Sequence, residues 1–327
     1  MNDRSLSLLE QYEVEVSRTR KGRGAILCDT DQGCLIFKEY AGSAEKLSVQ
    51  DRLLTQITGM GKVRVENIIP ARDGCLSVKD NDGVSYILKT YFEGRECNIY
   101  DRSECVEAVK VLARLHSCME LPASETGGAP RFSQEREYEK HNRELRKVRR
   151  YLRKKGQKTW FEICLQNTFD YFLDQALEVT QEWQTYSQGA GADDRSVSVY
   201  CHGDYQYHNI VKFNGEWCVI NFEKCMQDNP IRDLYLLLRK LLEKGGWNIS
   251  LGSELLAAYE EEMPISAYSR IDLYYRLAYP EKFWKIVNFY YNSGKAWIPE
   301  RNQEKLEKLI GQEEAKQRFL DVVFREV

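Results

Sequence analysis

The sequence lacks the features of several common protein classes. No apolar run approaches the roughly 18 residues that a membrane span needs, and residues 1–12 mix charged side chains among leucines. The sequence therefore predicts neither a membrane anchor nor a signal peptide. The 47 basic and 50 acidic side chains leave a net charge of only -3, so neither disorder nor binding to nucleic acid through an overall positive charge is expected.

Cysteine is frequent, but its spacing lacks the usual signatures. None of the ten cysteines forms a C-x-x-C pair, which argues against a zinc site and against a disulfide framework. We expect reduced, mostly buried thiols.

The length and the change of pattern along the chain predict two lobes. With 327 residues and 43% hydrophobic content, the chain can bury a sizeable core of about two domains. Residues 1–92 are predicted as a sheet-rich lobe, and residues 93–327 as a mainly helical lobe, because helical spacing of apolar residues begins after residue 94 and continues to His116.

Within the first lobe, turn signals separate short strands. Residues 12–16 and 25–28 are predicted as strands that flank a basic, glycine-containing segment at 18–24, and residues 34–38 as the next strand. Residues 43–57 are predicted as a helix with Ser43 as its N-cap. Lys38 thus ends an apolar strand.

A strand-rich island in the second lobe carries the main motif. His202, Asp204 and Asn209 form the pattern H-x-D-x-x-x-x-N in a loop after a strand at 197–200. We interpret His202 mainly as a brace for this loop, since the nearby Asp204 suits the role of base better.

A hairpin follows this loop. Asn214 and Gly215 lie between alternating strands, which is the strongest short signal for a hairpin and sets Phe213 opposite Glu216. Counted outward, this register brings Asn209 beside Asn221. A carboxylate that orients an attacking hydroxyl, together with oxygen ligands for magnesium, is what phosphoryl transfer requires.

The motif, the hairpin and the following Asn221-Phe222-Glu223 resemble the aminoglycoside and choline kinase-like superfamily. The stretches 233–244, 279–286 and 290–293 further resemble the CotS family of bacterial spore coat proteins. The resemblance implies an α+β, two-lobed, protein-kinase-like fold of the aminoglycoside phosphotransferase type. It also implies ATP and magnesium as cofactors.

The resemblance assigns roles to residues of the motif. Asp204 would be the catalytic base, and Asn209 a magnesium ligand. The family's second metal ligand is normally Asp, but Asn221 stands at that position, and Glu223 could supply the missing charge.

The resemblance also assigns residues of the first lobe. Lys38 would contact the inner phosphates, and Glu45, on the following helix, would be its carboxylate partner. The backbone of Thr90, Tyr91 and Phe92 would receive the adenine.

Two features of the sequence, Asp233 and the basic stretch, allow more than one interpretation. Asp233 suits the N-cap of a helix from residue 234, and the matching Asp of the superfamily supports the catalytic loop, so both roles are possible. His116 and His208 are predicted to be structural. Residues 136–158 carry eleven basic and three acidic side chains, which form either a solvated helix face or a docking surface.

The sequence therefore supports two alternative functions. The first is a spore-coat-associated kinase-like protein that phosphorylates a small molecule or a coat component. The second is a catalytically inactive kinase fold that acts as a structural or interaction protein of the coat. Either would be made in the mother-cell cytoplasm and localise to the spore coat, possible partners being other coat proteins, without nucleic acid or membrane.

Overall fold

Strands dominate the first hundred residues of the chain, and helices dominate the rest. The computed structural model describes residues 3–22, 24–122, 133–189, 198–292 and 300–325. The strands are β1 Val16–Gly22, β2 Ala25–Thr30, β3 Gly33–Glu39, β4 Arg64–Val65, β5 Ile68–Ile69, β6 Val78–Lys79, β7 Ser85–Thr90, β8 Arg95–Glu96, β9 Glu120–Leu121, β10 Ser198–Cys201, β11 Ile210–Phe213, β12 Glu216–Val219 and β13 Met226–Gln227. The helices are α1 Ala44–Met60, α2 Arg102–His116, α3 Gln134–Lys154, α4 Trp160–Gly189, α5 Ile231–Lys244, α6 Ile249–Glu260, α7 Ala267–Ala278, α8 Glu281–Asn292 and α9 Glu300–Val323. Short 3-10 helices cover Asp3–Gln11, Tyr207–Asn209 and Phe222–Lys224.

Strands β1, β2, β3, β7 and β5 form an antiparallel sheet in that order, with β6 also paired to β7. Lys38 lies opposite Ala25 on one neighbouring strand and Ile87 on the other, so it occupies the interior of the sheet. Its neighbour Phe37 is fully buried and stacks on Tyr86. Because side chains alternate along a strand, Lys38 projects from the opposite face.

The beginning of the sheet differs from the prediction. Tyr12 does not start a strand but follows a 3-10 helix. Strand β1 covers most of the basic segment that was predicted to connect the first two strands. Gly22 pairs with Ala25, so the turn is limited to residues 23 and 24, and Arg23 lies outside the described residues. An edge strand accommodates basic side chains well because they face solvent and discourage pairing with another chain.

Helix α1 begins where the sequence predicts. The Ser43 hydroxyl accepts a hydrogen bond from the Lys46 amide at 3.2 Å and caps the helix. The helix continues to Met60, one turn beyond the predicted end, because Gly61 at φ 65° supplies the left-handed residue that closes it.

The predicted hairpin register is confirmed. Phe213 pairs with Glu216, and Asn214 and Gly215 both adopt positive φ angles of 52° and 86°, as a two-residue turn requires. The Ile220 amide donates to the Asn209 carbonyl at 3.1 Å, which extends the ladder to the end of the loop that carries the H-x-D-x-x-x-x-N motif. The preceding strand starts at Ser198, and residue 197 lies outside the described part of the chain.

All ten cysteines lie in described segments as free thiols, and most are buried, as predicted.

Within the described ranges, no helix combines the length and the apolar character that crossing a bilayer requires.

The chain divides into two compact units. The first comprises Met1–Arg131, Arg195–Leu237 and Ala258–Pro264, and the second comprises Phe132–Asp194, Leu238–Ala257 and Ile265–Val327. The first unit thus contains both the sheet and the loop that carries the H-x-D-x-x-x-x-N motif. The predicted lobes, 1–92 and 93–327, rest on the change from strand to helix and stay a prediction.

In the second unit, α3 explains the basic stretch. Tyr138, Leu145 and Leu152 recur on its buried face, whereas Arg143 and Arg150 are among the basic side chains on its exposed face. The pattern is that of an amphipathic helix with a solvated outer face. This favours the first of the two interpretations of the basic stretch.

Candidate functional site

The loop between β10 and β11 gathers three of the predicted site residues. The Asn209 side-chain amide donates to the Asp204 carbonyl at 2.8 Å, and the Asn221 amide donates to Asn209 Oδ1, also at 2.8 Å. Asn221 has a left-handed backbone with φ 67°, which Asn and Asp tolerate better than most residues. Asp204, Asn209 and Asn221 therefore lie together, as the hairpin register predicts.

His202 connects this loop to the hairpin. Its Nδ1 accepts from the Asp204 amide at 3.1 Å, so its Nε2 carries the proton and donates to the Ile220 carbonyl at 2.9 Å. The ring is fully buried. Both ring nitrogens are thus used to hold backbone, which supports the interpretation of His202 as a brace.

Asp233 holds the loop through hydrogen bonds to its backbone amides. Its buried carboxylate accepts from the His202 amide at 2.5 Å and from the Gly203 amide at 2.9 Å. Burial alone would raise the pKa of Asp233, but the hydrogen bond and charge of His116 lower it below its usual value. The His116 ring also contacts Tyr259 at 2.8 Å, so it is structural, as predicted.

The predicted N-cap role of Asp233 was wrong. Asp233 lies in the first turn of α5 rather than before it, and the Asn229 side chain accepts from the Ile231 amide at 3.1 Å. Asn229 therefore acts as the cap, which leaves the Asp233 carboxylate for the loop.

Gly203 allows the segment after β12 to approach the loop. It has φ 78°, and a Cβ atom there would lie 2.2 Å from the Lys224 carbonyl oxygen, so no larger residue fits. This approach brings Lys224 Nζ to 2.9 Å from Asp204 Oδ2, while Gln206 donates to Oδ1 at 2.8 Å. The predicted base is thus held at both carboxylate oxygens.

The carboxylate partner of Lys38 is not the predicted one. Lys38 Nζ donates to Glu223 Oε1 at 3.0 Å, across 185 positions of sequence. Glu45 is exposed in the first turn of α1, where its own amide and the Ser43 hydroxyl lower its pKa. The expectation of a Lys38–Glu45 pair was therefore wrong, because the first turn of the helix uses this carboxylate near its own N-terminus.

The position facing the site from α1 is a lysine. Lys46 Nζ donates to the Glu223 carbonyl at 2.5 Å. Helix α1 therefore contributes a positive charge to the segment that carries Glu223, where a carboxylate was expected.

A buried lysine, missed by the sequence interpretation, completes the network. Lys89 is 1% exposed and contacts Glu66 Oε1 at 2.8 Å and Glu223 Oε1 at 2.6 Å. Burial opposes its charge, but the two carboxylates raise the pKa of Lys89, and Glu66 also accepts from the Phe222 amide at 3.0 Å. Burial likewise opposes the charge of Glu223, yet Lys89 and Lys38 lower its pKa.

A signal for Lys89 was present in the sequence. It follows Tyr86-Ile87-Leu88 inside an apolar strand, where a lysine is costly unless it is paired. Nothing local identified its partners, because Glu66 and Glu223 lie 23 and 134 positions away.

These residues surround one cavity, which we call the cleft. It has a volume of about 1180 Å³, and its lining includes Gly22, Lys38, Tyr91, Asp204 and Asn221. All of its lining residues belong to the first unit.

Two of the three predicted adenine-binding residues line the cleft. Thr90 and Tyr91 do so, but their amides donate to the Asn67 and Cys34 carbonyls at 2.9 and 3.0 Å. The Phe92 side chain packs instead with Phe213, at a centroid distance of 5.8 Å. The adenine contact through this segment stays a prediction.

The donor atoms of the cleft fit magnesium in kind. Asn209, Asn221 and Glu223 all line the cleft and offer oxygen atoms, which Mg²⁺ prefers. Only Glu223 of these three carries a charge, and two lysines already share it. The set therefore suits a weakly held cation.

Comparison with known proteins supplies the family. The family model described as "Spore coat putative kinase YutH" matches residues 5–323. Spore coat protein S of Bacillus subtilis (strain 168) is 32% identical over 124 residues, which cover 37% of this chain and 35% of that protein. The match to this curated relative thus spans about a third of its length.

Solved structures with low sequence identity share the fold. An aminoglycoside phosphotransferase from Alicyclobacillus acidocaldarius subsp. acidocaldarius DSM 446 aligns with a TM-score of 0.83 at 17% identity, over 97% of this chain and 94% of that one. The AMP complex of spectinomycin phosphotransferase APH(9)-Ia gives 0.65 at 14% identity, over 98% and 97%. The amicoumacin kinase hAmiN, in complex with AMP-PNP, Ca²⁺ and Ami, gives 0.62 at 13% identity, over 97% and 94%.

These likenesses establish the α+β, protein-kinase-like fold of the aminoglycoside phosphotransferase type that the sequence predicts. The resemblance to the CotS spore coat proteins is likewise confirmed. Because the family model matches nearly the whole chain, this protein belongs to the YutH family of kinase-like spore coat proteins.

Proposed function

We propose that this protein binds ATP with magnesium in the cleft and transfers the terminal phosphate to a hydroxyl or amine. The observation that carries the proposal is that Lys38, Asp204 and Asn209 line one cavity of about 1180 Å³. Typical small-molecule pockets measure roughly 300–1,000 Å³, so this space can admit a nucleotide and part of an acceptor together.

Each residue has a defined role in the proposal. Asp204 accepts the proton of the acceptor as the acceptor atom bonds to the terminal phosphorus and the bond from phosphorus to the bridging oxygen of ADP breaks. Lys38, oriented by Glu223, contacts the inner phosphates. His202 keeps the loop in place through its two backbone hydrogen bonds.

Asn209, Asn221 and Glu223 would hold the metal. Magnesium, when bound, supplies positive charge to the phosphates. Glu223 Oε1 accepts from both lysines, which among the described contacts leaves Oε2 for a metal.

The family descriptions support the proposed location. Its description and the name of the Bacillus relative both refer to the spore coat, so we place the protein there, after synthesis in the mother-cell cytoplasm. A small molecule or a coat component is the acceptor, and other coat proteins are the partners. A fluorescent fusion that stays diffuse throughout sporulation would contradict this location.

A second candidate is an inactive kinase fold that serves as a structural or interaction protein of the coat. Two observations favour it. Asn221 replaces the expected metal-binding carboxylate, and Asp204 is already paired with Lys224 at 2.9 Å.

Calorimetric titration with the non-hydrolysable analogue AMP-PNP, with and without magnesium, tests the nucleotide site. We expect magnesium-enhanced binding that Lys38→Met abolishes. Lys79→Met is the matched control, because Lys79 is an exposed lysine of the same sheet that is not among the cleft-lining residues. No binding at millimolar nucleotide in either condition would reject the nucleotide site and support the scaffold.

A further inference from the structure

The second unit contains a cavity that the proposed kinase chemistry does not use. It has a volume of about 380 Å³ and is lined by parts of α4, α5, the junction of α7 with α8, and α9. All of its lining residues belong to the second unit, whereas the cleft is built from the first.

The lining is strongly positive. It includes eight lysine or arginine side chains and four glutamates, in a protein with a net charge of only -3. Such concentrated charge in a concave site attracts anions.

The glutamates do not cancel this excess. Glu243 accepts from Arg239 at 2.8 Å and from Lys282 at 2.7 Å, and Glu313 accepts from the Gln175 side-chain amide at 2.9 Å. Burial opposes the charge of Glu243, but Arg239 and Lys282 lower its pKa. Glu243 therefore pairs with two cations of the lining, and the eight basic against four acidic side chains still leave the lining with an excess of positive charge.

Lys316 is the most informative cation of the lining. It is only 5% exposed, and its Nζ donates to the Ala278 carbonyl at 2.9 Å. Among the described residues, no carboxylate lies within 4.0 Å of this Nζ. Burial lowers the pKa of Lys316, and the more distant charges of Glu313 and Glu243 oppose that shift only in part. An ammonium has three donors, so two remain for a ligand of the cavity.

Other lysines face the same space. Lys240 on α5 is half-buried, and its pKa is lowered first by burial and then by the charge of Arg239. Lys305 and Lys308 on α9 are exposed at the cavity wall. A buried donor and three further ammonium groups of the same lining together suit a ligand whose negative charges lie close together.

We propose that this cavity binds a small multivalent oxyanion, of the phosphate or polycarboxylate class. The cavity volume limits the ligand to a small molecule, within the lower part of the usual range of roughly 300–1,000 Å³. The ammonium of Lys316 is buried in the cavity lining, and Lys305 and Lys308 of α9 are exposed at its wall. The proposal does not depend on nucleotide binding in the cleft.

Calorimetric titration of the full chain with pyrophosphate and with citrate, at constant low ionic strength, tests this site. We expect saturable binding of at least one probe. Lys305→Gln combined with Lys308→Gln should weaken it by about three- to tenfold, since both side chains are exposed and screened. Lys316→Gln should weaken it by about tenfold or more.

Two control variants test whether the anion binds in this cavity. Arg318→Gln removes an exposed cation of the same helix that is not among the cavity-lining residues and should leave affinity unchanged. Lys38→Met should also leave it unchanged, and if it alone abolished binding, the anion would occupy the cleft and the inference would fail. Absence of binding to the wild type, or equal binding in the double α9 variant, would overturn it even if Lys316→Gln did not fold.

Discussion

Replacing Glu223 by Gln tests the central ion network of the cleft. Glu223 Oε1 accepts from Lys38 at 3.0 Å and from Lys89 at 2.6 Å. Glutamine keeps the length and one oxygen of the side chain but removes its charge. Lys38 then loses its carboxylate, whereas Lys89 retains Glu66 at 2.8 Å.

The structure sets the size of the effect. Hydrogen bonds to charged groups contribute about 1.5–3 kcal/mol each, but solvent screens the Lys38 pair, whose side chains are 25% and 24% exposed. We therefore expect a loss of about 2–4 kcal/mol in the free energy of unfolding, against a total of about 5–15 kcal/mol for a typical protein. At about 2.1 cal/mol/K of unfolding entropy per residue over 327 residues, the corresponding decrease in Tm is roughly 3–6 °C. Since Lys38 is no longer oriented, affinity for magnesium-ATP should fall about tenfold.

Thermal unfolding and calorimetric titration measure the two effects. Glu45→Gln is the matched control, because Glu45 is the carboxylate that the sequence predicted as the Lys38 partner and is exposed in the structure. Its effect on stability should stay within about 0.5 kcal/mol, with unchanged nucleotide affinity. Equal effects of the two variants, or a larger effect of Glu45→Gln, would refute the assignment of Glu223 as the partner.

Four further predictions concern the cleft, the loop that Asp233 holds, and one carboxylate of the second unit. If phosphotransfer is detected, Asp204→Asn should lower its rate far more than it weakens nucleotide binding, and an unchanged rate would remove Asp204 from the mechanism. Asn221→Asp should tighten magnesium-ATP binding about ten- to a hundredfold and leave metal-free binding no tighter, as calorimetry can measure. Asp233→Asn should destabilise the protein by about 3–5 kcal/mol in chemical denaturation, because it removes a buried charge that holds two backbone amides, and a near-neutral effect would contradict this role. Burial opposes the charge of Glu281, but His141 and Lys285 lower its pKa to about 2, so its contribution to stability is full above about pH 4.5 and is lost as the pH falls towards 2; Glu281→Gln should flatten that part of the stability profile.

The loop that carries the H-x-D-x-x-x-x-N motif could be predicted because its geometry is local. Asn214 and Gly215 fix a two-residue turn, and the period of a strand then dictates every pairing outward to Asn209 and Ile220. The motif around Asp204 needed only this register to come together.

The ion network could not be predicted because its partners are distant in sequence. The expectation that Glu45 pairs with Lys38 used the distance along the chain, but the sheet brings Lys38 to a residue 185 positions away. Lys46 and Lys224 were likewise missed, because an exposed lysine and a site lysine look alike in one sequence. The burial of Lys89 was the one signal that local reasoning offered.

The network changes what Asn221 implies about activity. A buried Lys89 with two carboxylates costs desolvation that apolar side chains would avoid, so stability alone does not account for it. Its structural effect is to fix Glu223, which in turn fixes Lys38 towards the cleft. A ligand of the cleft that contacts Lys38, as proposed above, would account for that arrangement.

Asn221 affects the affinity of the cleft for the metal, whereas the lysine network affects the orientation of Lys38. A wild type that binds nucleotide with little dependence on magnesium, and gains that dependence in Asn221→Asp, would show that the lysine network and the metal site are separable. Phosphotransfer would then be limited by the missing charge rather than by the fold. If the wild type already binds with strong magnesium dependence that Glu223→Gln removes, Glu223 is the working metal ligand, and Asn221 carries no argument for an inactive scaffold. If Lys38→Met leaves nucleotide binding intact in both backgrounds, the network serves the fold alone and the scaffold is the better account.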